Sequence, residues 1–210
     1  MTDYCQERTY ASRIKDMVKS VPPEEETRTR ARTRRAILDA AVEVLGENRA
    51  APLSQVAATA GVARSTLQRY FSERAELITA LHDYIDELAN EATERARTTE
   101  GTAIEAFSRL ASEYFSLRTI AMLAFADGDP TADQGDEEGC GPADLALYEL
   151  VERGHEDGTI DPRVTPLWAQ QFLWSSLYAG WTYVTTARVP AFEAHNLCLM
   201  SLVKAVAREK

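Results

Sequence analysis

The chain has 210 residues, of which 45% are hydrophobic, enough for one small domain and one larger core. No stretch approaches the roughly 18 consecutive apolar residues of a membrane span, and the N-terminus lacks an apolar secretory core, which excludes integral membrane and secreted proteins. The cysteines Cys5, Cys140 and Cys198 are few and far apart, so we expect a protein of the reducing cytoplasm.

The formal net charge of −10 is unevenly distributed. Residues 27–74 carry nine Lys or Arg against four Asp or Glu, a balance of +5, whereas residues 75–210 carry ten against 23, a balance of −13. The acidic residues 75–210 would repel a nucleic acid, so the basic residues 27–74 would have to face it if the chain binds one. We predict a flexible extension at 1–26, a small basic domain at 27–74, and a larger helical domain at 75–210.

The N-terminal extension has mixed charge and ends in Val21-Pro22-Pro23 and three glutamates. Five arginines follow between Arg28 and Arg35. They fit two interpretations equally well: the solvated start of a helix, or an arm that reaches a minor groove or phosphates.

Residues 53–71 predict a helix-turn-helix, supported by a preceding helix that ends near Gly46. Leu53, Val56, Ala57 and Ala60 recur at i, i+3, i+4 and i+7, which is typical of a helix with one buried face. Gly61 supplies a turn residue that tolerates positive φ, and Val62 offers an apolar side chain that can pack between the two helices at the turn.

The second helix of this motif has Leu67 and Phe71 facing inward. Its outward residues are types that donate to phosphates and base edges, whereas a purely structural hairpin would not need this set. The candidate DNA-binding residues are Arg64, Ser65, Thr66, Gln68, Arg69 and Tyr70, with Thr66 near the boundary.

Residues 34–81 resemble the N-terminal domain of the TetR family of bacterial transcriptional regulators. The resemblance is carried by Ile37-Leu38, Val56-Ala57, Ala60-Gly61-Val62, Thr66-Leu67 and Arg69-Tyr70-Phe71. It implies an all-α protein with a three-helix helix-turn-helix DNA-binding domain and a C-terminal helical domain for ligand binding and dimerisation. By position, it implies that Ser65, Thr66, Gln68 and Arg69 approach the major groove, while Tyr70 and Arg74 hold phosphates.

Two positions depart from the family pattern. Gln68 stands where the family often has tyrosine, which exchanges an aromatic contact for an amide that pairs with adenine. Ala51-Pro52 replaces the hydroxyl that commonly caps the second helix and touches a phosphate, and Ser54 offers only a partial substitute. We expect the operator preference to differ accordingly.

The remaining chain predicts helices over about 73–97, 102–126, 142–155, 164–187 and 190–208, with 102–126 forming one long or two consecutive helices. The first belongs to both domains, so movement at its far end would displace Tyr70 and Arg74. The helix 164–187 is apolar nearly all round, which requires two buried faces. The resemblance implies that the last two helices pair with their copies in a homodimer, which suits an operator with two half-sites.

Aromatic and aliphatic residues of the larger domain predict a pocket for an apolar or aromatic effector, although each residue alone fits core packing better. The same holds for Trp168, Trp174 and Trp181, for which core or interface packing is favoured over ligand contact. The pocket candidates are Phe107, Leu110, Tyr114, Phe115, Leu147, Trp174 and Tyr178.

The acidic segment 127–142 has the oxygen spacing of a calcium loop, but the glycine needed at its sixth place is Ala132 and Pro130 stiffens it. A solvated linker is therefore favoured. The histidines have no metal-like spacing, so we predict no metal and no cofactor. Cys140 with His155 is the nearest enzymatic pair, and the glycines around Cys140 argue against it.

These patterns predict a dimeric transcriptional regulator, a repressor of a palindromic operator in double-stranded DNA that a small molecule releases. Two alternatives stay open: a regulator of the same family that activates, and a helical adaptor that binds only protein through its Trp-rich helix. The adaptor predicts no affinity for duplex DNA at low salt, where the regulator binds with a steep salt dependence.

Overall fold

The computed structural model describes residues 28–125 and 141–209, and within them the secondary structure is helical apart from one isolated antiparallel pairing of Ile160 with Ala207. The predicted all-α fold is confirmed. The predicted flexible extension, the segment with calcium-loop spacing and Cys140 lie outside the described residues. The helices are α1 (Arg28–Glu47), α2 (Leu53–Thr59), α3 (Arg64–Tyr70), α4 (Arg74–Ala96), α5 (Ala103–Ser116), α6 (Arg118–Phe125), α7 (Pro142–Glu156), α8 (Pro166–Thr186) and α9 (Ala191–Val206).

The described residues form two compact units. The first contains residues 28–86 and 119–125, and the second contains residues 87–118 and 141–209. Helix α4 contributes to both, because the division falls inside it after Asp86. The predicted domain ranges 27–74 and 75–210 stay a prediction.

The first unit is built around apolar side chains from α1 to α4. Ile37 and Leu45 of α1, Val56 of α2 and Leu77 of α4 are fully buried. The buried apolar residues of each helix recur at helical spacing, so each helix packs one apolar face against the core. Leu67 and Phe71 join this core, as the sequence predicts. The result is a three-helix module supported by the first half of α4.

The second unit encloses Trp181 of α8, whose side chain is completely buried and whose Nε1–H donates to the Phe115 carbonyl at 2.9 Å. Gly180 beside it permits close packing, since a Cβ there would lie 2.8 Å from Cε2 of Phe115 and 3.3 Å from Cβ of Cys198. The buried Cys198 thiol donates to the Ser176 carbonyl at 3.3 Å, and burial raises its pKa to about 11.

Thr102 and Glu105 define where α5 begins, after the turn at Gly101. Gly101 has φ +72°, a conformation that glycine adopts without steric cost. Thr102 N–H donates to the Glu105 carboxylate at 3.0 Å, which is half of a capping box, and this bond holds the pKa of Glu105 below its usual value. The predicted segment 102–126 is two helices, because the chain breaks at Leu117.

Gly154 near the end of α7 lies directly against Ile160. A Cβ at Gly154 would be 2.5 Å from Cδ1 of Ile160 and 2.7 Å from its Cβ. The backbone on either side of Ile160 is tied to the C-terminus, where Asp161 N–H donates to Val206 at 2.9 Å and Arg208 N–H donates to Thr159 at 3.0 Å. The isoleucine therefore has little freedom to move away.

We expect Gly154→Ala to destabilise the protein by about 1–3 kcal/mol, because overpacking forces a backbone shift. Denaturant unfolding of Gly154→Ala, Ile160→Ala and the double variant measures the effect. We expect the two changes to be coupled by roughly 0.5–3 kcal/mol, since the smaller residue at 160 relieves the clash. Strictly additive losses would contradict this account.

Candidate nucleic-acid interface

The turn between α2 and α3 is held by backbone hydrogen bonds and one glycine. Gly61 has φ +67°, which an L-residue adopts only with strain. Val62 N–H donates to the Ala57 carbonyl at 3.0 Å, and Gly61 N–H donates to the Ala58 carbonyl at 3.1 Å. These bonds close the end of α2 and fix the direction in which α3 leaves. No side chain caps the start of α2 at Pro52, as the sequence predicts for this position.

Helix α3 turns its polar residues to solvent. Arg64, Ser65, Gln68 and Arg69 are exposed, and the pairs at i, i+4 place them side by side along the helix. Thr66 and Tyr70 are half-buried at the border of this surface, while Leu67 is buried beneath it. The structure therefore brings six of the seven predicted DNA-binding residues together on one short helix.

Arg74, the seventh, lies in the first turn of α4 and has a different environment. Its guanidinium donates from Nη1 to the Ala51 carbonyl at 2.8 Å and from Nη2 to the Arg49 carbonyl. Both acceptors belong to the loop between α1 and α2. The predicted phosphate contact of Arg74 stays a prediction, but two of its donors are directed at backbone.

The arginine-rich segment forms the first two turns of α1. Arg28, Arg30 and Arg32 are exposed. The Cζ atom of Arg34 lies 5.9 Å from the centroid of the Phe71 ring, and that of Arg35 lies 5.5 Å from the centroid of the Tyr84 ring. Both distances are within the range of cation–π contacts. A helix start is thus observed, and contact of these arginines with DNA stays a prediction.

Sequence reasoning missed the role of Tyr84, which is buried on α4 and whose hydroxyl donates to Asp39 of α1. Burial and this carboxylate together raise the pKa of Tyr84, so the phenol stays a donor. The bond joins the supporting helix to the long helix. Nothing in the local pattern identifies it, because the two residues lie 45 positions apart.

The predicted pocket residues of the second unit are divided among different environments. Phe107, Leu110 and Leu147 are fully buried, and Tyr114 stacks on Trp174 with ring centroids 5.1 Å apart. Tyr178 is 44% exposed. Two surface depressions of about 420 and 340 Å³ occur in this unit, and none of the seven predicted residues lines either of them. The pocket assignment stays a prediction.

Buried and partly buried polar side chains make hydrogen bonds near the stacked pair, and sequence reasoning missed them. The Thr93 and Tyr114 hydroxyls are 2.8 Å apart, and burial of Tyr114 raises its pKa. Gln170 Nε2 donates to Asp144 at 2.6 Å, while Tyr148 donates to the other end of the Gln170 amide at 3.0 Å. The negative charge of Asp144 further raises the pKa of Tyr114. This arrangement places polar groups beside an aromatic stack.

The last two helices expose an apolar surface, which we call the α8–α9 face. Trp168 is 58% exposed within it. Trp181 is buried and Trp174 half-buried, so the three tryptophans have separate roles. The face consists of Leu167, Trp168, Tyr178, Tyr183, Phe192, Leu197 and Met200.

His155 and His195 of the second unit each lie close to a polar atom of a neighbouring residue. His155 Nε2 lies 3.0 Å from the Val164 carbonyl, and His195 Nε2 lies 3.0 Å from the Ser112 hydroxyl. Within residues 28–125 and 141–209, no three His, Cys, Asp or Glu side chains come together as a metal site. Over the same residues, no helix has the length and hydropathy to cross a membrane.

Comparison with known proteins gives a consistent result. Residues 37–81 match the family described as bacterial regulatory proteins, tetR family. The HTH-type transcriptional repressor LfrR of Mycolicibacterium smegmatis is 36% identical over 159 residues, which cover 76% of this chain and 82% of LfrR.

Solved structures show the same similarity. The TetR-like regulator LfrR from Mycobacterium smegmatis in complex with proflavine superposes with a TM-score of 0.63 and 31% identity, covering 85% of this chain and 99% of that one. FadR from Bacillus subtilis in complex with stearoyl-CoA superposes with a TM-score of 0.60 and 23% identity. The match covers 80% of this chain and 97% of FadR. The second likeness concerns the fold alone.

Proposed function

Since the chain belongs to the TetR family of bacterial regulatory proteins, we propose that it is a repressor that binds a palindromic operator as a dimer and is released by a small molecule. It is a DNA-binding transcriptional regulator, as its relatives are. A regulator of this kind meets its operator in the cytoplasm. The proposal contains no catalytic step.

The exposed polar face of α3 is the observation that carries the DNA-binding role. Two guanidinium groups, an amide and a hydroxyl are exposed side by side on a helix anchored by Leu67 and Phe71. A helix of this width enters a major groove, where such groups pair with base edges and phosphates. We assign base contacts to Ser65, Thr66, Gln68 and Arg69, and backbone contacts to Arg64 and Tyr70.

The α8–α9 face supports the homodimer. Seven large hydrophobic side chains are exposed on two helices that pack against each other, and exposed apolar patches mark interaction sites. A second copy of the same face covers it in a closed two-fold assembly. Two DNA-binding domains then occupy two half-sites, which a palindromic operator provides.

Release by a small apolar or aromatic molecule rests on two observations. The relative LfrR has been crystallised with proflavine, a planar aromatic molecule, at 31% identity to this chain. The second unit contains the Tyr114–Trp174 stack with a carboxylate, Asp144, among the polar side chains near it. Helix α4 continues from this unit into the DNA-binding unit, which offers a route for coupling.

A binding selection from a random duplex library tests the proposal. We expect the full chain to recover a palindromic site, to bind it with affinity that falls steeply with salt, and to release it on addition of proflavine as a probe. Absence of duplex binding at low salt would favour the protein-binding adaptor. If binding increases transcription of a reporter gene instead of blocking it, the result would favour a regulator that activates.

Gln68→Ala should relax base preference, whereas Tyr70→Phe should weaken binding to every sequence alike. The first change removes an amide that reads a base edge, and we expect discrimination at one base pair per half-site to fall by about 1–3 kcal/mol. Tyr70→Phe removes only the hydroxyl of a half-buried ring, to which we assign a contact with the DNA backbone that is the same in every sequence. Binding of each variant to the selected site and its single-base variants distinguishes the two effects. Equal losses on all sequences for Gln68→Ala would refute its base-reading role.

A further inference from the structure

The Arg74 guanidinium is directed at the loop that precedes α2. It donates from Nη1 to the Ala51 carbonyl at 2.8 Å and from Nη2 to the Arg49 carbonyl, and the side chain is only half-exposed. These acceptors lie 23 and 25 residues earlier in the chain. The contact therefore ties the first turn of α4 to the entrance of the helix-turn-helix.

The loop that accepts these bonds also has hydrogen bonds of its own, and Ala51 within it is buried. Asn48 Oδ1 accepts from Ala50 N–H at 3.0 Å, and Ala51 N–H donates to the Asn48 carbonyl at 2.9 Å. The chain then passes through Pro52, which has no N–H to donate, and α2 begins at Leu53 without a side-chain cap. Two carbonyls held by one guanidinium thus fix the start of an otherwise uncapped helix.

The base from which Arg74 extends is itself fixed. Ser72 donates its N–H to Glu76 Oε2 at 2.7 Å and its hydroxyl to the same oxygen at 3.0 Å. These bonds hold the pKa of Glu76 below its usual value. The Ser72–Glu76 bonds hold the start of α4, and the Arg74 guanidinium bonds the loop before α2. Together these contacts link α4 to the start of α2.

We infer that Arg74 is a positioning residue, which acts on DNA affinity by holding the start of α2 and not by contacting a phosphate. This role rests on the proposed function, since α2 must be placed correctly for α3 to reach the groove. It differs from the role that the family resemblance implies for this position. A planar guanidinium reaches two carbonyls from two nitrogens held in a fixed geometry, whereas a lysine ammonium offers its donors from a single nitrogen on a flexible stem.

Three variants of the full chain test this inference on the duplex recovered by the selection, with binding measured between 50 and 200 mM salt. Arg74→Ala and Arg74→Lys remove the fork, and Arg64→Ala removes an exposed charge of α3 as a matched control. We expect both Arg74 variants to bind about tenfold or more weakly with an unchanged salt slope. The Arg64 variant should lose about 1.8 from the slope, because each of the two protomers loses one phosphate contact worth about 0.9.

Hydrogen exchange of the free proteins supplies a readout that a phosphate contact does not move. We expect faster exchange at the amides of residues 48–57 in both Arg74 variants and unchanged exchange there in the Arg64 control. Far-UV circular dichroism verifies folding, and Arg74→Lys decides the matter if the alanine variant does not fold.

The inference is overturned if Arg74→Lys binds like the unaltered protein, or if Arg74→Ala loses about 1.8 from the slope, one phosphate contact in each protomer, while exchange at 48–57 is unchanged. Unchanged affinity in both variants also overturns it. Failure of the unaltered protein to bind duplex DNA contradicts the proposed function and removes any role for Arg74 in affinity. The exchange data would then still report whether the side chain holds the loop.

Discussion

The double substitution Leu197→Glu, Met200→Glu is expected to yield a monomer that binds the selected operator roughly 10²- to 10⁴-fold more weakly. The two side chains are 47% and 48% exposed on α9, so the charges cost little in an isolated chain. In the proposed dimer they would be buried without partners, which is strongly unfavourable. With one half-site engaged at a time, the gain from linking two binding domains is lost.

Light scattering after size exclusion measures the mass, and fluorescence anisotropy measures operator binding. Thr99→Glu, which adds a charge at an exposed loop position of the same unit, is the control and should remain dimeric. Phe192→Glu provides an independent single change on the same face, where that ring is 64% exposed. A double variant that keeps the dimer mass and operator affinity would show that the α8–α9 face is not the interface.

Trp181→Ala is expected to lower the free energy of unfolding by about 3–5 kcal/mol, which is a large part of the stability of a typical domain. The indole is completely buried, so its removal leaves a cavity beside Phe115. The Phe115 carbonyl also loses the donor that Nε1 supplies at 2.9 Å. Both losses act on the helices that form the centre of the second unit.

Trp181→Phe separates these two contributions, because it retains most of the ring volume and removes the N–H. We expect an intermediate loss of about 1–3 kcal/mol, the cost of leaving a buried acceptor unpaired. Chemical unfolding is to be compared at one protein concentration, since dimer stability depends on it. A loss below about 1 kcal/mol for the alanine variant would contradict the tight packing described here.

The DNA-binding unit was largely predictable from sequence, and the family resemblance of residues 34–81 is confirmed. The spacing of Val56 and Ala57 with the turn at Gly61 encodes local geometry, and α4 was predicted within about one residue at each end. The contacts of Arg74 were not predictable, because its partners lie more than 20 residues away and are backbone atoms. Periodicity reports which face is buried, not what a polar side chain meets.

The second unit was less predictable for a physical reason. Helix α8 is apolar on most of its surface, so its sequence does not separate Trp181, which is buried, from Trp168, which is exposed. Likewise the segment 102–126 was predicted as one or two helices, and residues 119–125 belong with the first unit. That assignment depends on long-range packing, which a single sequence pattern does not contain.

The environment of Cys198 has a consequence for oxidative signalling. Because burial raises the pKa of the Cys198 thiol to about 11, the thiolate is a small minority at neutral pH. The deprotonated sulfur is the nucleophile that attacks peroxides and other electrophiles, so this position offers them little reactive thiolate. Cys198 therefore acts as a packing residue of α9 that donates to the Ser176 carbonyl of α8, and it is a poor target for oxidants.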